Sequence, residues 1–266
     1  MPVTSHHEES GPYWEVHHGK GPYLLMVHGF LSSRAQWLPN IEALSKICRP
    51  VVVELYGHGR SPSPESPDAY HPDGYVRAFE NIRRNLGASR WFICGQSLGA
   101  SLTLRYALKH PEAVTAQVFT NTVAGLAKKE ALTNRYKEFA ARLRGKRDSK
   151  FLETLPMHPV HARFLGKDVK AALLKDSAAA DLDGISRSIE FTMPEVSVRD
   201  VIHLNQVPSL LVCGKREKRF QTFREFAQNH MPMLKIVDLE AGHAVNIAAA
   251  EGFNRAVFDF IAAHAL

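Results

Sequence analysis

Cysteine is scarce in this chain. Cys48, Cys94 and Cys213 are the only three among 266 residues, an odd and widely spaced set that offers neither a disulfide framework nor the paired spacing of a zinc site. Long apolar runs are missing too. No window approaches the roughly 20 apolar residues needed to cross a bilayer, and Met1–His18 is polar and His-rich, without the apolar centre of a secretory leader. Low-complexity tracts are also lacking. These absences lead us to expect a soluble, cytoplasmic protein in a reducing compartment, held together by its core. The chain is long enough to bury about three quarters of its unfolded surface. With 45% hydrophobic and 9% aromatic residues its composition argues against disorder. The length suits one larger α/β domain, or one domain with an insertion.

Acidic residues are outnumbered, 27 against 33 Lys+Arg, giving a formal net charge of +6. Such a balance raises nucleic acid, an anionic surface or an anionic substrate as partners. The distribution narrows that field. Residues 126–175 carry 13 basic and 5 acidic side chains, a local +8, and the rest of the chain carries 20 and 22, a net −2. The basic stretch has few aromatics and no nucleic-acid-binding motif. We therefore expect a small-molecule partner, with an anionic group on it left open, and neither nucleic-acid binding nor membrane insertion.

What is present is an alternation of short apolar runs and helical periodicity. Tyr23–Val27, Pro50–Leu55, Trp91–Cys94, Ala116–Thr120, Pro208–Cys213 and Leu234–Leu239 are nearly continuous apolar runs bounded by Gly, Pro or polar turns, the pattern of strands buried on both faces. Tyr13–His18 reads as a preceding hairpin strand. Trp37–Leu44, Tyr75–Leu86, Leu98–His110, Phe223–Gln228 and Phe253–Ala263 repeat apolar residues at three- and four-residue spacing. The alternation predicts an α/β protein with a mostly parallel, doubly wound sheet. It breaks after Asn121. Residues 122–206 show helical periodicity, clearest over Arg135–Leu143 and Val169–Ala180, and no convincing strand. A structureless loop of that length is implausible, so the division predicted is a core of 1–121 and 207–266 and a helical cap of 122–206, which contains the +8 stretch.

The sharpest local signal is Gly95-Gln96-Ser97-Leu98-Gly99, set between a predicted strand and a predicted helix. This is the context a G-x-S-x-G nucleophile elbow requires. Such a turn strains the serine backbone and exposes its Oγ, while the Leu98 N–H points from the helix N-terminus toward a developing oxyanion. A serine hydroxyl is nearly inert at neutral pH and needs a base and an orienting acid. Of 14 histidines, His6, His7, His17 and His18 lie in the N-terminal segment. His158 and His161 are interrupted by prolines and have no cysteine or acid pattern to make a metal site, and His28 and His58 suit loop support. His243 lies in the turn Ala241-Gly242-His243 after the last predicted strand, where a resemblance to the α/β-hydrolase family places the general base.

The chain resembles the α/β-hydrolase family over most of its length. His28-Gly29-Phe30, Gly57-His58-Gly59-Arg60-Ser61, the Ser97 elbow, Gly214–Glu217 and Ala241-Gly242-His243 follow one another in family order. The resemblance implies that Phe30 N–H joins Leu98 N–H in the oxyanion hole and that 122–206 is the cap. It also implies an acid shortly after the penultimate strand, in a G-x-x-D turn. Here Gly214-Lys215-Arg216-Glu217 offers Glu217, and the competing reading of Lys215–Arg219 is a solvated charge run. Asp200 is a weaker carboxylate candidate. A serine at the elbow excludes the carboxylate-nucleophile chemistry of haloalkane dehalogenases and most epoxide hydrolases. Hydrolysis of a small-molecule carboxylic ester or thioester through an acyl-enzyme on Ser97 is the leading expectation, with no cofactor and no metal. A narrower resemblance, carried by His28–Ser33 with Trp37 and by Glu217–Phe220, is to the menaquinone-pathway synthases that eliminate pyruvate. Those enzymes use the triad as a proton-abstracting base and bind a polyanionic substrate with arginines. Ser101 replaces their arginine one turn past the serine, and Tyr56 replaces the usual proline before Gly-His-Gly. A ligand-binding receptor on a hydrolase scaffold is the third reading.

Overall fold

The computed structural model describes residues 3–6, 11–143, 150–163 and 165–265. Eight strands form one sheet in the order β1-β2-β4-β3-β5-β6-β7-β8. They are β1 (Val3–His6), β2 (Trp14–His17), β3 (Tyr23–Val27), β4 (Arg49–Val53), β5 (Trp91–Gly95), β6 (Val114–Thr120), β7 (Ser209–Gly214) and β8 (Leu234–Leu239). Strands β3 to β8 are parallel, and β1 and β2 add an antiparallel edge. The sequence patterns anticipate every strand except β1, whose residues Val-Thr-Ser-His carry no apolar alternation. Its pairing with β2, Val3 opposite His17 through His6 opposite Trp14, is backbone hydrogen bonding that composition does not announce.

Successive side chains of the central strands enter opposite layers, as the pleat requires. Leu25, Val27 and Ile93 pack beneath α2 (Pro72–Asn85) and α3 (Leu98–Lys109). Leu24, Met26, Phe92 and Cys94 pack beneath α1 (Leu38–Leu44) and the C-terminal helix Ala250–Ala262. Trp37 belongs to this second layer, fully buried and 6.3 Å from Phe253 between ring centroids, so it is a core residue. The three cysteines are buried, and burial pushes the Cys48 thiol up to about 12. Among the described residues of 122–206 there are helices and no strand. The longest are α4 (Lys129–Leu143) and α5 (Lys167–Ala178). No helix of the described residues is long and apolar enough to cross a membrane.

Parallel strands in matched register deliver their loops to one end of the sheet. Val27 pairs with Gly95, and Gly214 with Leu239, so the turns after β3, β5, β7 and β8 open side by side. The chain also changes direction here, since β4 lies on one side of β3 and β5 on the other. A crevice outside the strand C-termini at such a switch point is the usual ligand position in open α/β sheets.

Two buried imidazoles fix the loops on that edge. His28 Nδ1–H donates to Gly29 O at 2.7 Å and its Nε2 accepts the Leu55 N–H at 3.0 Å. His58 Nδ1–H donates to Tyr56 O at 3.0 Å and its Nε2 accepts the Leu31 N–H at 3.1 Å. Both rings are therefore neutral, because a protonated Nε2 has no lone pair to accept a backbone N–H. Leu31 needs this support: its φ of 53° is in the left-handed region, costly for a branched side chain. Burial depresses the pKa of His28 to about 3 and that of His58 to about 4.

These groups charge near pH 6.5 in the unfolded chain but stay neutral in the fold, so the unfolded state gains protons first as the pH falls. Stability drops below pH 6.5 by about 1.4 kcal/mol per pH unit for each ring, down to about pH 4 for His58. Urea unfolding of wild type and His58→Gln between pH 7 and 4.5 is expected to show a slope shallower by one proton in the variant. Equal slopes would contradict the assignment. The elbow makes a second demand. A methyl group at Gly99 would overlap the carbonyl oxygens of Val27 and His28, so Gly99→Ala is expected to cost about 3 kcal/mol by forcing α3 away from β3. A urea midpoint equal to wild type would refute that close approach.

Candidate active site

Strand β5 ends at Gly95 and α3 begins at Leu98, leaving Gln96 and Ser97 to make the whole turn. Ser97 takes φ 53° and ψ −112°. A non-glycine residue there is strained, and strain of this kind is kept only where the surroundings over-determine it. Here Gln96 N–H donates to Val27 O at 3.0 Å, and Ser101 N–H donates to Ser97 O at 3.1 Å. The Gly29 Cα lies close enough that a Cβ on it would sit 3.3 Å from Ser97 Cβ. The turn therefore brings the serine against the loop after β3.

That loop holds two of three successive N–H groups back into the protein. Gly29 N–H donates to Gln36 Oε1 at 3.1 Å, and Leu31 N–H to His58. Phe30 N–H lies between them. Leu98, as the first residue of α3, has an N–H without a partner inside the helix. Phe30 and Leu98 both line the cavity that contains Ser97.

His243 and Glu217 arrive from the loops after β8 and β7. His243 Nδ1 lies 2.9 Å from Glu217 Oε1 and 2.9 Å from Oε2. An ionised carboxylate only accepts, so Nδ1 carries the hydrogen and Nε2 keeps the lone pair of the neutral ring. The five-residue run Lys215–Arg219 is not a uniform solvated face. Lys215 and Arg216 turn out to Glu240, at 3.0 and 3.7 Å, and the Glu217 side chain is only 17% exposed. Asp200 lies elsewhere, exposed on a 3-10 turn (Arg199–Leu204) and off the cavity wall.

Ser97, Glu217 and His243 line one cavity of about 440 Å³, whose lining also includes residues of 122–206. Its wall is mainly apolar, with Leu132, Met157, Leu165, Leu173, Met193 and Ile247. Of the basic residues in 126–175, only Arg135 lines it among the described residues. Lys128, Lys129, Lys150, Arg163, Lys167 and Lys175 are exposed outside it, and Arg219 adds a second cation from the core. His158 and His161 reach the cavity too. His158 Nε2 is 2.5 Å from Ser177 Oγ, and His161 Nε2–H donates to Glu153 O at 2.7 Å. No group of three His, Cys, Asp or Glu among the described residues is arranged to hold a metal ion. Helix α5 is tied to the core beside the loop after β3, where Ser33 Oγ donates to Asp176 at 2.7 Å.

Several supporting residues carry no motif in the sequence. Gln96 is buried and donates from Nε2 to His243 O at 3.3 Å. A buried amide cluster joins the loop after β3 to the helical turn that follows His243. Asn246 Nδ2 donates to Gln36 O and Asn40 Oδ1, both at 3.1 Å, and Asn40 Nδ2 donates to Asn246 O at 2.8 Å. The buried Asn121 meets Glu217 itself, 2.6 Å from Oε2. These contacts join residues about 90 to 210 positions apart, so only their final proximity identifies them.

Comparison with known proteins agrees with this fold. A family model described as the alpha/beta hydrolase fold matches residues 22–250. A Bacillus subtilis (strain 168) protein provisionally assigned as 2-succinyl-6-hydroxy-2,4-cyclohexadiene-1-carboxylate synthase is 24% identical over 247 residues, covering 90% of this chain and 89% of that protein. Carboxylesterase YbfK of the same strain is 24% identical over 249 residues, covering 90% and 80%. The crystal structure of the enol-lactonase from Burkholderia xenovorans LB400 superposes with a TM-score of 0.77 at 23% identity, covering 94% of this chain and 97% of that one. The match along nearly the whole chain and the shared fold establish that this protein belongs to the alpha/beta hydrolase family.

Proposed function

We propose that the protein is a serine hydrolase that cleaves a small-molecule carboxylic ester or thioester, with Ser97 as nucleophile, His243 as general base and Glu217 as orienting acid. The observation that carries this reading is the two-point hydrogen bond from His243 Nδ1–H to the Glu217 carboxylate. It selects the tautomer whose Nε2 accepts a proton and stabilises the imidazolium that forms. Ser97 Oγ attacks the carbonyl as His243 Nε2 takes its proton. Phe30 and Leu98 N–H groups hold the tetrahedral oxyanion. His243 then protonates the leaving alcohol or thiol, and a water activated in the same way releases the acid. Each oxyanion donor contributes on the order of 3 kcal/mol in such sites. Residues 122–206 act as the cap, and the apolar wall they supply favours an apolar acyl group.

A second reading, elimination of pyruvate by the same three residues, has two observations behind it: the likeness to the B. subtilis synthase and the two arginines on the cavity, Arg135 and Arg219. Against it, position 101 presents a buried hydroxyl 2.6 Å from Thr122 Oγ1 and contributes no cation to the cavity.

Turnover of p-nitrophenyl esters of increasing acyl length separates the two. The hydrolase reading expects hydrolysis, with Ser97→Ala lowering kcat by roughly 10⁶-fold and Glu217→Gln by roughly 10⁴-fold in folded protein. Inactivity on every ester together with pyruvate release from the succinylated cyclohexene precursor would replace it by the lyase. Glu217→Gln with normal turnover would move the acid to another carboxylate.

A further inference from the structure

Asn121 is the first residue beyond β6. The register pairs Thr120 with Val212, so Asn121 lies beside the turn that β7 makes at Gly214. Its side chain is fully buried and both ends are used. Oδ1 accepts the Gly214 N–H at 2.9 Å, and Nδ2 donates to Gly214 O at 3.3 Å and to Glu217 Oε2 at 2.6 Å. The polarity of this last contact is fixed by chemistry, since an amide NH₂ only donates and an ionised carboxylate only accepts. A buried donor to an anion is the stronger, charge-assisted kind of hydrogen bond.

A glutamate has one more rotatable bond than the aspartate usual at this position in the family, so its carboxylate has one more way to turn from the imidazole. Asn121 removes that freedom. With Oε2 held, the carboxylate keeps both oxygens at 2.9 Å from His243 Nδ1. Rotating the carboxylate away means giving up the contact and leaving the buried Asn121 Nδ2 with only its longer bond to Gly214 O. We propose that Asn121 is a positioning residue of the active site, which acts through Glu217 by holding its carboxylate facing His243. This rests on the triad reading above. The charged groups that share this wall of the cavity with Glu217 are His243 and Arg219, while Lys215 and Arg216 pair with Glu240 outside.

The test is the pH profile of kcat/KM for p-nitrophenyl acetate in Asn121→Asp and Asn121→Ala. Asn121→Asp keeps an acceptor for the Gly214 N–H but replaces the donor to Glu217 by a second carboxylate, and two carboxylates in contact share a proton. Expected is at least a tenfold loss at pH 7, with the low-pH limb displaced upward by a pH unit or more and the rate recovering as the pair loses its shared proton. An undisplaced limb, whether rates are unchanged or lowered evenly at all pH, overturns the proposal. Should Asn121→Asp not fold, Asn121→Ala decides: at least a tenfold fall in kcat with KM within twofold is expected, and kcat within twofold of wild type overturns it. Ser97→Ala and Glu217→Gln are measured alongside. Normal turnover in either one removes the triad reading and this inference together, and so does a wild type that turns over neither the ester nor the succinylated cyclohexene precursor. If both are inactive and the Asn121 variants keep the wild-type profile, the inference alone fails.

Discussion

A strand that runs directly into a helix has to change course within one or two residues, and at Ser97 it does so in a conformation that costs a residue with a Cβ about 1–3 kcal/mol. That cost is carried by contacts made elsewhere. The second layer of the core holds β5 through Phe92 and Cys94, the first layer holds α3 through Leu102 and Tyr106, and Gly99 lets α3 approach the end of β3. A serine presented this way stands clear of its own backbone and at the positive end of a helix. The elbow therefore converts packing stability into a serine presented to the cavity beside Phe30 and Leu98, which no surface serine on a relaxed loop provides.

The remaining groups reach the same point because parallel strands in register leave their loops on one edge. Neutral polar contacts hold the loops after β3 and β4 and the turn that follows His243. His28 and His58 accept backbone N–H groups from the β4 loop and the β3 loop, and the amides of Gln36, Asn40 and Asn246 tie the β3 loop to the turn that follows His243. Neutral amides and imidazoles avoid the desolvation cost of buried charge, and they leave the Glu217 carboxylate with His243 to form the one charged couple in the proposed mechanism. The basic residues of 126–175 take little part in this. Arg135 alone lines the cavity among those described, and Lys128, Lys129, Lys150, Arg163, Lys167 and Lys175 are exposed outside it.

How much of this was legible follows from the range of the interactions. Strand and helix patterns are local, and every parallel strand was readable from runs such as Val51–Val53 and Leu210–Cys213. The elbow was readable because glycine, serine and glycine fall within five residues of one another. Glu217 was readable only through a family resemblance, since its neighbours Lys215, Arg216, Lys218 and Arg219 look like a solvated run; pairing of two of them with Glu240 shows why they are there. Strand β1 was not readable, because an edge strand paired through its backbone leaves no apolar alternation. Asn121 was not readable either. An asparagine after a strand is ordinary turn chemistry, and its meaning comes from a partner 96 residues away.

If Ser97 is a nucleophile activated by His243, a covalent probe reports it without knowledge of the substrate. Incubation with a fluorophosphonate, followed by peptide mass spectrometry, is predicted to find one phosphonyl adduct per chain on Ser97, formed in step with loss of esterase activity and missing from Ser97→Ala. A wild-type protein that remains active and unlabelled after prolonged exposure would contradict the account.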